Sequence, residues 1–243
     1  MSGFLNIIVP LVAIFLVYRL FTTLGKSGDD NQDMDSKNDQ QFNGRKNINS
    51  AEDNVIRLPT AAKKPPRNKS NRADPVEVLA NAMDTENFAS ADEVAKQGLK
   101  DIIMAHPEFD YREFMNGAEV AYEMINLGFA QNDRDILKRL LTEAVYDSFD
   151  GVITAREAAG HRVHARFVGY ERVQLKTAML DGHTVRLSVH FVGKLVSSTY
   201  DKNDKLIDGD EKHIFNTNDV WTFETDMNNE NVSWKLAATA KGE

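Results

Sequence analysis

The sequence predicts an α+β domain set behind an apolar N-terminal helix and a polar linker. Three observations carry this. Residues 4–24 are almost wholly apolar, residues 25–75 show no sustained hydrophobic period, and beyond Pro75 a helical period gives way, after His161, to a period of 2. Helices first and an antiparallel meander afterwards is the α+β order, with the helices packed on one face of a curved sheet.

At about 1.5 Å per residue the first stretch covers the roughly 30 Å hydrocarbon core of a bilayer. It reads as a single transmembrane anchor through Phe4, Ile7, Ile8, Val9, Leu11, Val12, Ile14, Phe15, Leu16, Val17 and Tyr18. Asn6 and Arg19 sit near its ends, where polar side chains reach headgroups, and Pro10 is tolerated in a spanning helix. No Lys or Arg precedes the run and no A-x-A-like site follows Phe21, which disfavours a cleaved signal peptide. A mitochondrial presequence would be amphipathic and Arg-rich, so a bacterial inner membrane is the expected location. Arg19 and Lys26 follow the span, which places the C-terminal side in the cytoplasm.

Residues 25–75 are rich in Asn, Asp, Gln, Ser and Lys and bury too little surface to offset chain entropy. A disordered polar linker is expected. Its acids dominate up to Asp39, whereas Arg57, Lys63, Lys64, Arg67, Lys69 and Arg72 form a basic cluster around Pro65 and Pro66. This cluster is either a solvated charge run or an electrostatic contact with anionic phospholipid, to which each nearby cation adds about 1 kcal/mol.

Residues 76–107 read as a connecting helical segment and 108–243 as the main domain. Phe88, Ala91, Ala95, Leu99 and Ile102 repeat at threes and fours, and His106-Pro107 ends the run. Asp110 caps a second helix with the stripe Phe114, Ala118, Ala121, Ile125 and Phe129; Asn132 or Asp133 opens a short third one through Ile136, Leu137, Leu140 and Leu141. The fourth runs from Thr142 with Val145, Phe149, Val152 and Ile153 inward, and Gly160 stops it.

Val173, Leu175, Thr177 and Met179, then Val185, Leu187, Val189 and Phe191, alternate with polar neighbours. Asp181-Gly182 marks the turn between them. A two-residue loop there would set Lys176 against Leu187 and mix the faces; pairing Leu175 with Val189 keeps them clean, so an odd loop or a bulge is expected. Further strands are expected at 195–200, 213–224 and 232–239, with residues 201–210 as a connection.

Composition excludes several functions. The 243 residues hold 37 acidic and 29 basic side chains, and a net charge of −8 repels a phosphate backbone, so nucleic acid is not an expected partner. Cysteine is absent, which excludes disulfides, thiol nucleophiles and thiolate metal sites. Tyr146, Asp147 and Asp150 are the acid–base candidates, yet solvation or capping explains them equally well. His161-x-x-His164 straddles a helix-to-strand change without a fixed third ligand, and His183 and His190 read as structural residues. No enzyme, cofactor or metal is expected. Trp221, Phe223 and Trp234 alternate on strands and either fill the core or line an open mouth that binds an acyl chain or a partner's side chain.

Several ordered segments carry a resemblance: residues 133–141 followed by Val145, Tyr146 and Phe149; residues 155–160; Asp219 to Phe223; and Trp234 to Leu236. Together they resemble the bacterial Tim44-like proteins over residues 108–241. The resemblance implies a cone similar to nuclear transport factor 2, a membrane-associated location, and kinship with the mitochondrial scaffold that recruits an Hsp70-class motor to a translocon. In that scaffold amphipathic helices precede the core, whereas a spanning helix stands here. The expected role is a membrane-anchored adaptor presenting its domain to a protein partner, linked to protein translocation or membrane-protein assembly. A lipid-binding module using the cone, or an N-anchored secretion-complex component with a periplasmic domain, are the alternatives.

Overall fold

The computed structural model describes residues 74–229 and 232–242. The expected anchor at 4–24 and the basic cluster at 57–72 lie outside the described residues. Among the described residues no helix is long and apolar enough to cross a membrane.

Side-chain caps divide the helical half. Asp74 accepts the amide of Val76 and Pro75 occupies the first helical position, so the last two residues assigned to the linker instead start α1 (Pro75–Met83). Thr85 caps α2 (Glu86–Ala89), and α3 (Glu93–Ala105) follows. The single run expected through Phe88 and Ile102 is therefore broken at Ser90–Asp92, although Phe88, Ala91, Ala95, Leu99 and Ile102 are all buried as the period requires. Asp110 accepts the Glu113 amide at 3.0 Å and opens α4 (Tyr111–Gln131). Asn132, left-handed at φ 61°, closes that helix, and Asp133 at once caps α5 (Arg134–Leu140). Thr142 precedes α6 (Glu143–Ala158), and Gly160 at φ 70° carries the chain into the sheet.

Four antiparallel strands follow in the order β1-β2-β3-β4: β1 (Arg162–Asp181), β2 (Thr184–Tyr200), β3 (Leu206–Asp226) and β4 (Lys235–Lys241). Leu175 lies opposite Val189, and of the odd loop or bulge expected, the structure has a bulge, at Lys176, between the pairs Leu175–Val189 and Thr177–Ser188. The turn itself is shifted by one residue. Asp181 pairs with Thr184 around a two-residue loop, Gly182-His183, with Gly182 at φ 60°. The strands are also longer than their alternation indicates. Residues 185–191 and 195–200 form one strand, because bulges bend a long strand without ending it. The connection expected at 201–210 contracts to 201–205, where Asp201 accepts the amides of Asn203 and Lys205 and releases residues 206–210 to pair with β2.

One sheet face is covered by helices. Leu175, Val189, Trp221 and Thr239 form a row across all four strands on that face, flanked by Leu187, Phe223 and Leu236. The other face carries a hydroxyl ladder in which Thr177 donates to Ser188 and Ser188 joins Thr222, each at 2.8 Å. Helix α3 crosses β1 so closely that a Cβ on Gly98 would stand 2.0 Å from the Ala178 carbonyl oxygen, hence the glycine. Leu99, Ile102 and Ile103 thereby enter the same core as Leu175 and Val185, each contributing about 1.5–3 kcal/mol.

A charged clamp holds the far end of α4. Arg156 of α6 is only 5% exposed; it donates to the Phe129 carbonyl and to Asn132 Oδ1, and its guanidinium lies 4.9 Å from the Phe129 ring centre. Desolvation holds its pKa below the ordinary arginine value. The helix C-terminal carbonyls offset that cost, since they carry the negative end of the α4 dipole. On the surface above, Arg134 of α5 bridges Asp150 at 2.6 Å and Glu157 at 2.9 Å, and so ties α5 to α6.

Candidate functional site

The centre of the helix-covered face is Tyr122. Its ring stacks on Phe191 at 4.4 Å and 24°, and lies 4.4 Å from Trp221. Its hydroxyl donates to Asp219 Oδ2 at 2.6 Å and lies 2.8 Å from Thr217 Oγ1, which accepts the Gly193 amide at 3.2 Å. Oriented as Gly193 N–H to Thr217, Thr217 O–H to Tyr122 and Tyr122 O–H to Asp219, every donor in this relay has an acceptor. Gly193 makes room for it: a Cβ there would stand 2.8 Å from Thr217 Oγ1.

Burial pushes the Tyr122 phenol up, and the Asp219 carboxylate adds to that. Asp219 is likewise held above the ordinary carboxylate value by desolvation, against the opposing pull of the Tyr122 hydrogen bond and of His190. The relay has hydrogen-bond donors and a raised carboxyl, the parts of an acid–base pair. Around it the aromatic rings are contiguous. Phe167, Tyr170, Tyr122, Phe191, Trp221, Phe223, Phe114, Trp234 and Phe109 run on with successive centroids 4.4–6.4 Å apart.

A raised folded pKa has a definite sign. Between the ordinary value of 3.8 and the raised one, the folded state holds a proton that the unfolded state has released, so Asp219 lowers stability as pH rises through that window. Asp219→Asn keeps an acceptor for Tyr122 and removes the titration. Its stability relative to the parent should therefore improve as pH rises from about 3.8. Urea unfolding at a series of pH values checks this; a parallel pair of pH profiles would contradict it.

Of the two placements open to the strand aromatics, core or mouth, two of the three residues take the first. Trp221 is 1% exposed and Phe223 is equally enclosed, because Tyr122 and Phe114 of α4 pack against them; both are core. Only Trp234 is half-buried, 4.5 Å from Phe114 and 6.0 Å from Phe109. The acid–base candidates on α6 do not converge: Asp150 pairs with Arg134, Tyr146 lies beneath the Lys138 ammonium at 5.4 Å, and Asp147 is exposed. His164 stands beside the Tyr200 ring, and His190 bonds Asn218 Oδ1 at 2.6 Å as a structural histidine. Among the described residues no group of three or more His, Cys, Asp or Glu side chains forms a metal site. An open cleft of about 250 Å³ lies elsewhere, near the β1–β2 turn, lined by Thr142, Thr184, Glu224, Thr225, Asp226 and Lys235.

Tyr122 and Asp219 escape the sequence reading, yet both carry a signal. Tyr122 stands three residues before Ile125 and four after Ala118, in better phase with that stripe than Ala121, which is only half-buried. Asp219 shares the inward phase of Trp221 and Phe223, and an acid in such a phase indicates a buried partner.

Comparisons bear on this arrangement. No curated protein matches the chain. Among solved structures, the intermembrane space region of the chloroplast protein ARC6 is similar at 10% identity and a TM-score of 0.38, with 55% of this chain and 96% of that chain covered. The model of the Tim44-like domain matches residues 95–241, more than half the chain, beginning within α3 and running to the end of β4, and so the chain belongs to the Tim44-like domain family.

Proposed function

We propose that this protein is a membrane-anchored adaptor that presents its Tim44-like domain to a protein partner at the bacterial inner membrane, and that it is not an enzyme. The observation that supports this reading is the buried aromatic interior. Tyr122, Phe191 and Trp221 occupy the space where related cones hold a substrate, so the domain's outer surfaces are what remains for recognition. In the same reading the bulged sheet wrapped over α4 is a cone of the nuclear transport factor 2 type. The kinship with an import scaffold supports a role in protein translocation or membrane-protein assembly.

The apolar residues 4–24 supply the anchor, and Arg19 and Lys26 put the domain on the cytoplasmic side. A second contact is supported by the linker: the six cations between Arg57 and Arg72 include no acid among them and suit anionic phospholipid. Deleting residues 1–26 should release a folded, soluble protein from the membrane fraction. Retention of the deleted chain in membranes after an alkaline wash would show that another segment anchors it.

A further inference from the structure

The charge of this chain is segregated. Residues 1–73 carry 11 basic and 7 acidic side chains, a balance of +4, whereas residues 74–243 carry 18 and 30, a balance of −12. Self-repulsion on that scale favours any cationic segment that can cover the acidic part.

The solvent face of α4 has a matching surface. Glu113, Asn116, Gly117, Val120, Glu123, Met124 and Leu127 fall within one helical sector, opposite Phe114, Ala118, Tyr122, Ile125 and Phe129, which enter the core. Val120 is 41% exposed, and Met124 and Leu127 beside it are half-buried. The stripe is rimmed by Glu113 and Glu123, with Glu119 at its flank, and among the described residues no cation pairs with any of the three. Desolvation already holds the half-buried Glu119 carboxyl above its ordinary value. An apolar strip between unpaired carboxylates suits an occupant with apolar side chains and positive charge.

The sequence just before α1 has the composition of such an occupant. Val55, Ile56 and Leu58 adjoin the six cations from Arg57 to Arg72, and the segment ends three residues before α1. The far end of α1 is tied to the first turn of α4, where Arg112 reaches the Asn81 carbonyl at 3.4 Å and Asp84 at 3.7 Å. Nine helical residues span only about 14 Å, so the segment leaves the domain close to Glu113. The tether keeps its effective concentration at that face high.

We propose that residues 55–72 dock on the solvent face of α4, so that the domain and an anionic bilayer compete for the same six cations. The competition rests on reading the cluster as a lipid contact; the docking does not. On a neutral surface the segment covers its own domain.

The absence of cysteine allows a clean test. Spin labels on Thr60→Cys and Asn116→Cys in the full chain, reconstituted in phosphatidylcholine vesicles and diluted with unlabelled chain, should give a short, narrow distance population. Reversing Glu113 and Glu123 to Lys should abolish it, high salt should do the same, and further reversing Lys63 and Lys64 to Glu should restore it. Adding phosphatidylglycerol should deplete it. A population absent in phosphatidylcholine, or indifferent to the Glu113 and Glu123 reversal, would overturn the docking. One that vanishes on dilution would assign the face to a second copy and overturn it equally. A population that survives phosphatidylglycerol would overturn the competition and the lipid reading together. Loss of docking with phosphatidylglycerol binding by the cluster intact would overturn the docking alone.

Discussion

Trp221→Ala should lower the stability of the domain by about 3–5 kcal/mol, with a fall in melting temperature of roughly 10 °C. The indole is enclosed by Tyr122 and Phe191, with Phe223 at 6.4 Å, so its removal leaves a cavity in a rigid aromatic group that collapses poorly. Its Nε1 has no hydrogen-bond partner and neither has Thr239 Oγ1 on the paired strand, so the ring is held by packing alone. Trp221→Phe should recover a good part of the loss for that reason. A thermal melt of the alanine variant that overlays the parent would show that the ring is not core.

Arg156→Met should cost about 2–3 kcal/mol, even though it removes a buried charge and keeps most of the apolar stem. The reason lies in what stays behind. The Phe129 carbonyl and Asn132 Oδ1 lose their donor at the end of α4, and an unsatisfied buried acceptor costs about 1–3 kcal/mol. Arg156 Nε has no partner, which offsets part of that cost in the parent and sets the upper limit. Arg156→Lys should rescue little, because an ammonium lacks the planar fork that serves both acceptors while lying over Phe129. Hydrogen exchange in the last turn of α4 should accelerate in both variants. Protection equal to the parent would mean that Arg134 and its two carboxylates hold this corner unaided.

Local chemistry explains what the sequence made legible. Asp110, Asp133, Thr142 and Gly160 stand where helix boundaries require caps or a left-handed residue, and each element begins or ends there. Alternation likewise set Leu175 opposite Val189 and required an odd loop or a bulge, and the structure has the bulge at Lys176. What failed was continuity. Breaks such as Ser90–Asp92 depend on where Gly98 lets α3 approach β1, and strand lengths depend on bulges that interrupt the period without ending the pairing. The site was hardest, because Tyr122 and Asp219 lie 97 positions apart and only the fold brings them to 2.6 Å. Likewise Trp221 and Phe223 had the correct inward phase, but whether that side held space or rings depended on α4.

The adaptor reading rests on partners reached from the outside of a filled domain, and a photo-crosslinking scan in native membranes tests that most directly. Probes placed at exposed positions on α3, α4, α6 and the outer sheet face should give a discrete adduct with one protein from one face, retained when Asp219 is changed to Asn. Loss of cellular function on Asp219→Asn in a stably folded chain, with no adduct from any face, would contradict the reading and point instead to chemistry at the Tyr122–Asp219 pair.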